Sequence, residues 1–247
     1  MGFIRDVKRI IAALPSNTNR QNLLFSATFS PAVRALSKEI ISSKPTVVQV
    51  AKENTPVKVI DQLMYKVDQK RRTRLLLHLI KSKGWQQVLI FTRTKRGANR
   101  LAEQLTNNQL NALAIHGNKS QNARTHALNS FKEGQIQALI ATDIAARGID
   151  IQGLPLVINY DLPQEAENYV HRIGRTGRAG RQGQAISFVC QEDSKLLRAI
   201  ESLTRLEIPK ETVPGFEPTS APQSLPRDKE IKSVKSRSRG FFRTNKR

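Results

Sequence analysis

From residue 60 onward the apolar positions follow two alternating periods. Short, nearly continuous apolar runs, "IDQLMYKV", "QQVLIF", "NALAIH", "IQALIA", "LPLVINY" and "QAISFVC", read as strands. Between them lie segments whose apolar residues recur every three or four positions. "QKRRTRLLLHLIKS", "KRGANRLAEQLTN", "SQNARTHALNSFKEG", "EAENYVHRI" and "EDSKLLRAIESLTRL" read as helices. In the second of these, Ala98, Leu101, Ala102 and Leu105 share the inward face; in the third, Ser120 caps the start and Gly134 marks the stop. Unbroken apolar strands alternating with amphipathic helices predict an α/β fold, a parallel sheet covered by helices on both faces.

The first fifty residues carry a shorter version of the pattern. "GFIRDVKRIIAALP" places Phe3, Ile4, Val7, Ile10, Ile11 and Leu14 on one helical face, ended by Pro15. "NLLFSAT" and "PTVVQV" read as strands, and "SPAVRALSKEII" as a helix with Ser30 as N-cap and Pro31 in its first position. Residues 51–59 lack a period and contain Pro56, which predicts a linker. The pattern stops again near Ile208. "PKETVPGFEPTSAPQSLP" is rich in proline, serine and threonine, and "RDKEIKSVKSRSRGFFRTNKR" is basic with few apolar residues, so residues 208–247 are expected to form a disordered basic tail.

Charge adds a partner class. Lysine and arginine number 41 against 20 acids, a net charge of +21 over 247 residues. Such an excess points to a polyanion, nucleic acid before an acidic membrane. Cys190, the single cysteine, excludes an internal disulfide and a cysteine-rich zinc site, and its apolar surroundings suggest a buried strand residue in a reducing compartment. No apolar run reaches transmembrane length, and the N-terminal residues lack the apolar core of a secretion signal, so a cytoplasmic location is expected.

In an open parallel sheet, ligands bind beyond the carboxyl ends of the strands. Here the strands are followed by Thr92 to Lys95, by His116 to Lys119, by "TDIAARGID" and by Asp161 to Pro163. Hydroxyls, cations and helix starts in a row could track a phosphate backbone. "HRIGRTGR", residues 171–178, spaces Arg172, Arg175 and Arg178 by threes around Gly174 and Gly177, a segment suited to an anion.

Six stretches then carry a resemblance: "SAT" at 26–28, "LIFTRTKRGA" at 89–98, "HGNKSQNAR" at 116–124, "LIATDIAARGIDI" at 139–151, "VINYDLP" at 157–163 and "YVHRIGRTGRAGRQG" at 169–183. In this order and spacing they resemble the DEAD-box ATP-dependent RNA helicases, most closely the bacterial RhlE type, over roughly residues 1–207. The resemblance implies two RecA-like domains in the complete enzyme. Residues 60–207 correspond to the second, helicase C-terminal domain. Residues 1–50 correspond to the C-terminal remnant of the first, helicase ATP-binding domain, and 51–59 to the linker. The 247 residues contain neither a GK[ST] phosphate loop nor a DEAD string, which the resemblance places upstream, so the chain is expected to be an N-terminally truncated helicase.

The resemblance also implies roles. Arg175 and Arg178 would be the catalytic fingers on the ATP γ-phosphate. Gly148 and Asp150 would bind ATP, the latter at the ribose hydroxyls. Ser26, Thr28, Arg147, His171 and Arg172 would couple the two domains. Thr94, Gly117, Gln121, Arg124 and Thr142 would hold RNA by its backbone, without sequence preference. Asn118 stands where the family usually has aspartate. ATP with Mg2+ would be the cofactor, with the metal ligand and the water-activating acid outside this chain. RNA, aided by the basic tail, would be the partner, without a membrane; partners in ribonucleoprotein assembly or RNA decay are not specified. The expected function is ATP hydrolysis coupled to local duplex unwinding, with this chain alone inactive as an ATPase. The alternatives are a stand-alone RNA-binding module without catalysis and a duplex-DNA translocase of the same superfamily.

Overall fold

The computed structural model describes residues 4–15, 20–26, 31–41, 46–48, 60–146, 153–177 and 182–219. Strands β1 (Ile60–Lys66), β2 (Val88–Phe91), β3 (Ala112–Ile115), β4 (Ala138–Ala141), β5 (Leu156–Asn159), β6 (Gly183–Val189) and β7 (Lys210–Glu211) form one sheet in the order β3-β4-β2-β5-β6-β1-β7. Every pairing is parallel. β2, β4 and β5 occupy the middle, and every residue in them is buried, which explains why they read as unbroken apolar runs.

Successive side chains of these strands feed opposite faces. Ile90, Ile140, Ile158 and Phe188 pack under α3 (Arg72–Lys83) and α4 (Lys95–Asn107). Leu89, Leu139 and Val157 face α5 (Gln121–Lys132) and α6 (Asp143–Ala146). Met64 and Ala185 pack with α7 (Ala166–Ile173) and α8 (Ser194–Thr204). Two helix starts follow their capping residues. The Thr94 hydroxyl accepts from the Gly97 amide at 3.0 Å and that of Ser120 from the Ala123 amide at 3.3 Å. Ala98, Leu101, Ala102 and Leu105 are the buried residues of α4, as its periodicity predicts.

Three expectations need correction. Residues 22–26 and 46–48 lie outside any strand, and Phe25, Val47 and Val48 are 88%, 72% and 79% exposed. A strand exists only through a neighbour's ladder of backbone hydrogen bonds, and neither segment takes up strand structure among the described residues. The helices of this region form as predicted: α1 spans Ile4–Ala12 and α2 spans Pro31–Ile40, linked by a Lys8–Glu39 ion pair at 2.8 Å.

The second correction concerns the tail. Residues 208–219 are not disordered: they form a strap on the sheet's edge. β7 pairs with β1, and the Met64 amide donates to the Pro209 carbonyl at 2.9 Å. Phe216 lies between the Arg71 guanidinium, 5.4 Å from its ring centre, and the His78 ring, also at 5.4 Å. Arg71 donates to the Gly215 and Glu217 carbonyls, and the Asp68 carboxylate accepts from the Thr219 amide at 3.0 Å. The composition suggested disorder because the strap's stabilisation comes from residues distant in sequence. The linker 51–59 and residues 220–247 lie outside the described residues.

The third concerns Cys190. It lies just past β6, half-buried, in a polar cluster rather than within an apolar strand.

Candidate functional site

The carboxyl ends of β3, β4 and β2 lie side by side, and they carry the residues expected to hold a phosphate backbone. After β2, Thr94 is exposed at the start of α4. After β3, His116 to Ser120 turn into α5. Buried His116 uses Nε2 toward Asn99 Oδ1 at 2.9 Å, while Nδ1 accepts from the Asn118 amide at 3.3 Å. A ring with one acceptor nitrogen is neutral, consistent with burial, then Lys119 and Lys95, lowering its pKa. Asn118 Oδ1 accepts from Lys95 Nζ at 2.6 Å, so the amide makes the contact to the β2 loop that an aspartate could also make. Gly117 is exposed between these groups. One turn into α5, Arg124 donates to Gln121 Oε1 at 3.1 Å, which draws those two side chains together. Thr142 is buried after β4; its amide reaches the Ile115 carbonyl at 3.4 Å and its carbonyl accepts from the Ala145 and Ala146 amides.

The next residue, Asp143, joins this row to "HRIGRTGR". Arg172, 2% exposed, donates Nε to Asp143 Oδ1 at 2.6 Å and Nη2 to Oδ2 at 2.9 Å. Its Nη1 reaches Asn159 Oδ1 at 3.1 Å and the Asp161 carbonyl at 2.7 Å, and the guanidinium stands 5.0 Å over the Phe91 ring. One buried cation therefore ties α7 to the ends of β2, β4 and β5. This deep placement makes Arg172 an organiser of the site. His171 and Arg175, both half-buried, line a shallow depression with Asp143, Ala146 and Asn168. Ser26 is exposed in the N-terminal region. Thr28, Arg147, Gly148, Asp150 and Arg178 lie outside the described residues.

A second buried arginine went unnoticed in the sequence. Arg72, 2% exposed at the start of α3, pairs with Asp161 Oδ1 at 2.8 Å and Asp193 Oδ2 at 2.5 Å, and donates to Cys190 Sγ at 2.8 Å. Asp161 also accepts from the Arg93 amide at 2.9 Å, and Asp193 Oδ1 from the Arg93 guanidinium at 3.4 Å. The Asp193 carboxyl is held below its usual range: burial alone would raise it, but the Cys190 thiol and Arg72 outweigh burial. Burial and donation to Asp193 push the Cys190 thiol up to about 12, against the pull of Arg72. This cluster fixes the β2 loop that precedes Thr94. Asp143 and Asp161 sit inside the quoted "TDIAARGID" and "VINYDLP" stretches, so an acid at a strand end was available as a signal. Nothing in the sequence pairs either acid with Arg172 or Arg72.

The profile described as helicase conserved C-terminal domain matches residues 70–180. The chain is 42% identical over 214 residues to the ATP-dependent RNA helicase RhlB of Pseudomonas putida, covering 87% of this chain and 54% of the relative. It is 39% identical over 217 residues to the DEAD-box ATP-dependent RNA helicase CshA of Bacillus subtilis, covering 88% and 43%. It thus spans about half the length of the curated relatives it matches. Among solved structures, the E. coli DEAD-box protein SrmB, bound to the regulator of ribonuclease activity A, superposes with a TM-score of 0.62 at 36% identity, over 67% of this chain and 98% of that one. S. cerevisiae Dbp5, bound to RNA and ADP BeF3, superposes with a TM-score of 0.76 at 33% identity, over 86% and 56%. Fold, motif order and these likenesses agree: the chain belongs to the DEAD-box RNA helicases and carries their C-terminal RecA-like domain.

Proposed function

We propose that this chain supplies the C-terminal half of an ATP-dependent RNA helicase, in which RNA-stimulated ATP hydrolysis drives local unwinding of an RNA duplex in the cytoplasm. The observation that carries the reading is the covalent adjacency of Thr142, at the end of the strand row, to Asp143, the partner of buried Arg172. A strand of RNA along Thr94, Gly117, Gln121, Arg124 and Thr142 would be held by amides, hydroxyls and one guanidinium. Such contacts read phosphate and sugar and ignore base identity. Movement of Thr142 would pass through the Asp143–Arg172 pair to α7 and to Arg175 one turn on.

Arg175 and Arg178 would face the γ-phosphate, where fixed guanidiniums offset the charge that spreads over the equatorial oxygens. Arg175 and His171 line one shallow depression with Asp143, where a phosphate group would meet the Arg175 guanidinium. Gly148 and Asp150 would lie along the nucleotide, with Asp150 at the ribose, and Arg147 would help to hold the closed arrangement together with Ser26 and Thr28. Bound ATP supplies the phosphoanhydride bond, and Mg2+ would be held by acids of the other half. RNA binding would be strengthened by the basic residues 220–247.

The 247 residues contain no GK[ST] loop and no DEAD string, so by themselves they should bind RNA without turning over ATP. The test supplies an ATP-binding domain with both motifs in trans or as a fusion and follows RNA-stimulated phosphate release. Turnover should appear on reconstitution and be lost in Arg175→Ala and Arg178→Ala. Turnover by the 247 residues alone, abolished by Arg178→Ala, would overturn the half-site reading; a reconstituted activity indifferent to both arginines would overturn their role.

A further inference from the structure

The two arginines buried among the described residues, Arg72 and Arg172, both sit against carboxylates. The outer surface of α3 and α4 is built differently. Arg96 and Arg100, four residues apart, point away from the buried face formed by Ala98, Leu101, Ala102 and Leu105, and both are exposed. Gln104, one turn further, meets Thr73 of α3, oxygen to oxygen at 3.3 Å. Thr73 is followed by exposed Arg74, and exposed Lys70 precedes the helix. The Thr73–Gln104 contact joins α3 to α4, the helices that carry Arg74 and the pair Arg96–Arg100. None of the four cations makes an ion pair or side-chain hydrogen bond with a described residue. Glu103 is the one acid on the outward face of α4. Like charges at i and i+4 oppose helix formation, so the pair Arg96–Arg100 costs the isolated domain stability.

We propose that this α3–α4 surface is a second stretch of the RNA path, taking the phosphodiester backbone that leaves the strand ends at Thr94. The inference rests on the helicase reading above and extends it. Continuity supports it: Arg96 lies two residues beyond Thr94, and Arg100 follows about 6 Å along the axis. Guanidiniums suit phosphate, which they can grip with two parallel hydrogen bonds. An acidic peptide is the weaker occupant. Stable peptide docking relies on buried apolar or aromatic anchors, and the exposed residues of α4 include no apolar or aromatic side chain.

The test uses the full chain with Arg74, Arg96 and Arg100 replaced together by alanine, and a companion with all three replaced by lysine. A short RNA strand of about 6 nucleotides spans only the strand ends, while one of about 20 reaches the second surface. The alanine variant should bind the short strand as wild type does. It should bind the long strand several-fold more weakly, with the log–log salt slope reduced by about 2, which is three lost contacts at about 0.7 each. The lysine variant should retain most of the slope. Thiouridine crosslinks from the long strand should map to α3 and α4 and disappear in the alanine variant. An alanine variant that binds both strands with wild-type affinity and slope overturns the second surface while leaving the strand-end site standing. Tighter binding of a polyglutamate probe than of the long RNA, lost in the alanine variant, assigns the surface to acidic protein and overturns the proposal. A wild-type chain that binds neither RNA length overturns the helicase reading and this inference together.

Discussion

Asp143 grips the buried Arg172 with both carboxylate oxygens, at 2.6 and 2.9 Å, from the residue that follows Thr142. The acid keeps some solvent contact, 26% of its side chain, while the arginine keeps almost none. The pair is therefore asymmetric: Asp143 can rehydrate if its partner is lost, but Arg172 cannot.

The partners that Arg172 serves beyond Asp143, rather than that asymmetry, set the order of two substitutions. Arg172→Ala leaves the fully buried Asn159 amide oxygen and the Asp161 carbonyl without their donor, and should cost about 3–5 kcal/mol in urea unfolding. Asp143→Asn keeps one hydrogen bond to the guanidinium and should cost about 1–3 kcal/mol. An Arg172→Ala variant within about 1 kcal/mol of wild type would remove its claim to organise the site.

The strap predicts where a stable domain ends. A chain stopped at residue 207 uncovers the free edge of β1 and the apolar surroundings of Phe216, and should unfold at lower urea and associate. A chain stopped at Thr219 should match the full chain in stability. Phe216→Ala, which removes both the Arg71 and His78 ring contacts, should cost about 1–2 kcal/mol. Equal stability of the two shortened chains would show the strap to be dispensable.

Stability should also fall toward acid in two steps. Burial, then Lys119 and Lys95, depress the His116 pKa. Below its ordinary value near 6.5, the unfolded chain therefore takes a proton that the folded ring refuses, and stability falls as pH falls. Asp193 acts lower. Despite burial, the Cys190 thiol and Arg72 hold its carboxyl down, so its contribution is present above the ordinary carboxylate range and is lost as pH falls through the folded value. Unfolding free energies measured between pH 7 and 5 should decline less in His116→Gln than in wild type; parallel curves would exclude His116 as the first step. On the alkaline side, the Cys190 proton is retained up to about pH 12, so its contribution is full below the ordinary thiol value and is lost as pH rises toward that point. Native protein should accordingly alkylate much more slowly at pH 8 than unfolded protein.

What could be read in advance follows the range of the forces involved. The strands from β2 to β6 were legible because both their faces are apolar, as in Val88 to Phe91. The α4 face and the Ser120 cap were legible because capping and periodicity act within one or two turns. The Arg72–Asp161 and Arg172–Asp143 pairs were not, since they join residues 89 and 29 positions apart and depend on strand order. β7 escaped for the same reason: two residues gain strand geometry only from β1. Residues 22–26 and 46–48 failed in the opposite direction, apolar enough for strands but outside any strand among the described residues. In the candidate site, residue types and motif order pointed to Thr94, Gly117, Gln121, Arg124, Thr142, His171 and Arg175, whereas the acids that hold the site together needed the fold.

The turn that carries Arg175 is pinned by two glycines, which gives the last prediction. A Cβ on Gly183, the first residue of β6, would lie 2.1 Å from the Gly177 nitrogen and 2.2 Å from the Thr176 hydroxyl. Gly177 has a positive φ of 65°, and a Cβ there would lie 2.7 Å from Ile60 Cγ1. Fully buried Thr176 donates its hydroxyl to the Leu154 carbonyl, while the Leu154 amide donates to the Arg175 carbonyl at 3.1 Å. Backbone thus surrounds the turn on both sides, and an added methyl at position 183 can be accommodated only by moving Thr176 and Gly177, and Arg175 with them. Gly183→Ala should therefore destabilise the domain by more than the about 1–2 kcal/mol of simple left-handed strain. In the reconstituted assay it should lower RNA-stimulated phosphate release nearly as far as Arg175→Ala. Gly134→Ala supplies the control: its φ is 73° but nothing lies within 4 Å of the new methyl, so it should carry the strain alone and leave turnover intact. A Gly183→Ala variant with wild-type turnover would show that Arg175 does not depend on this turn for its position.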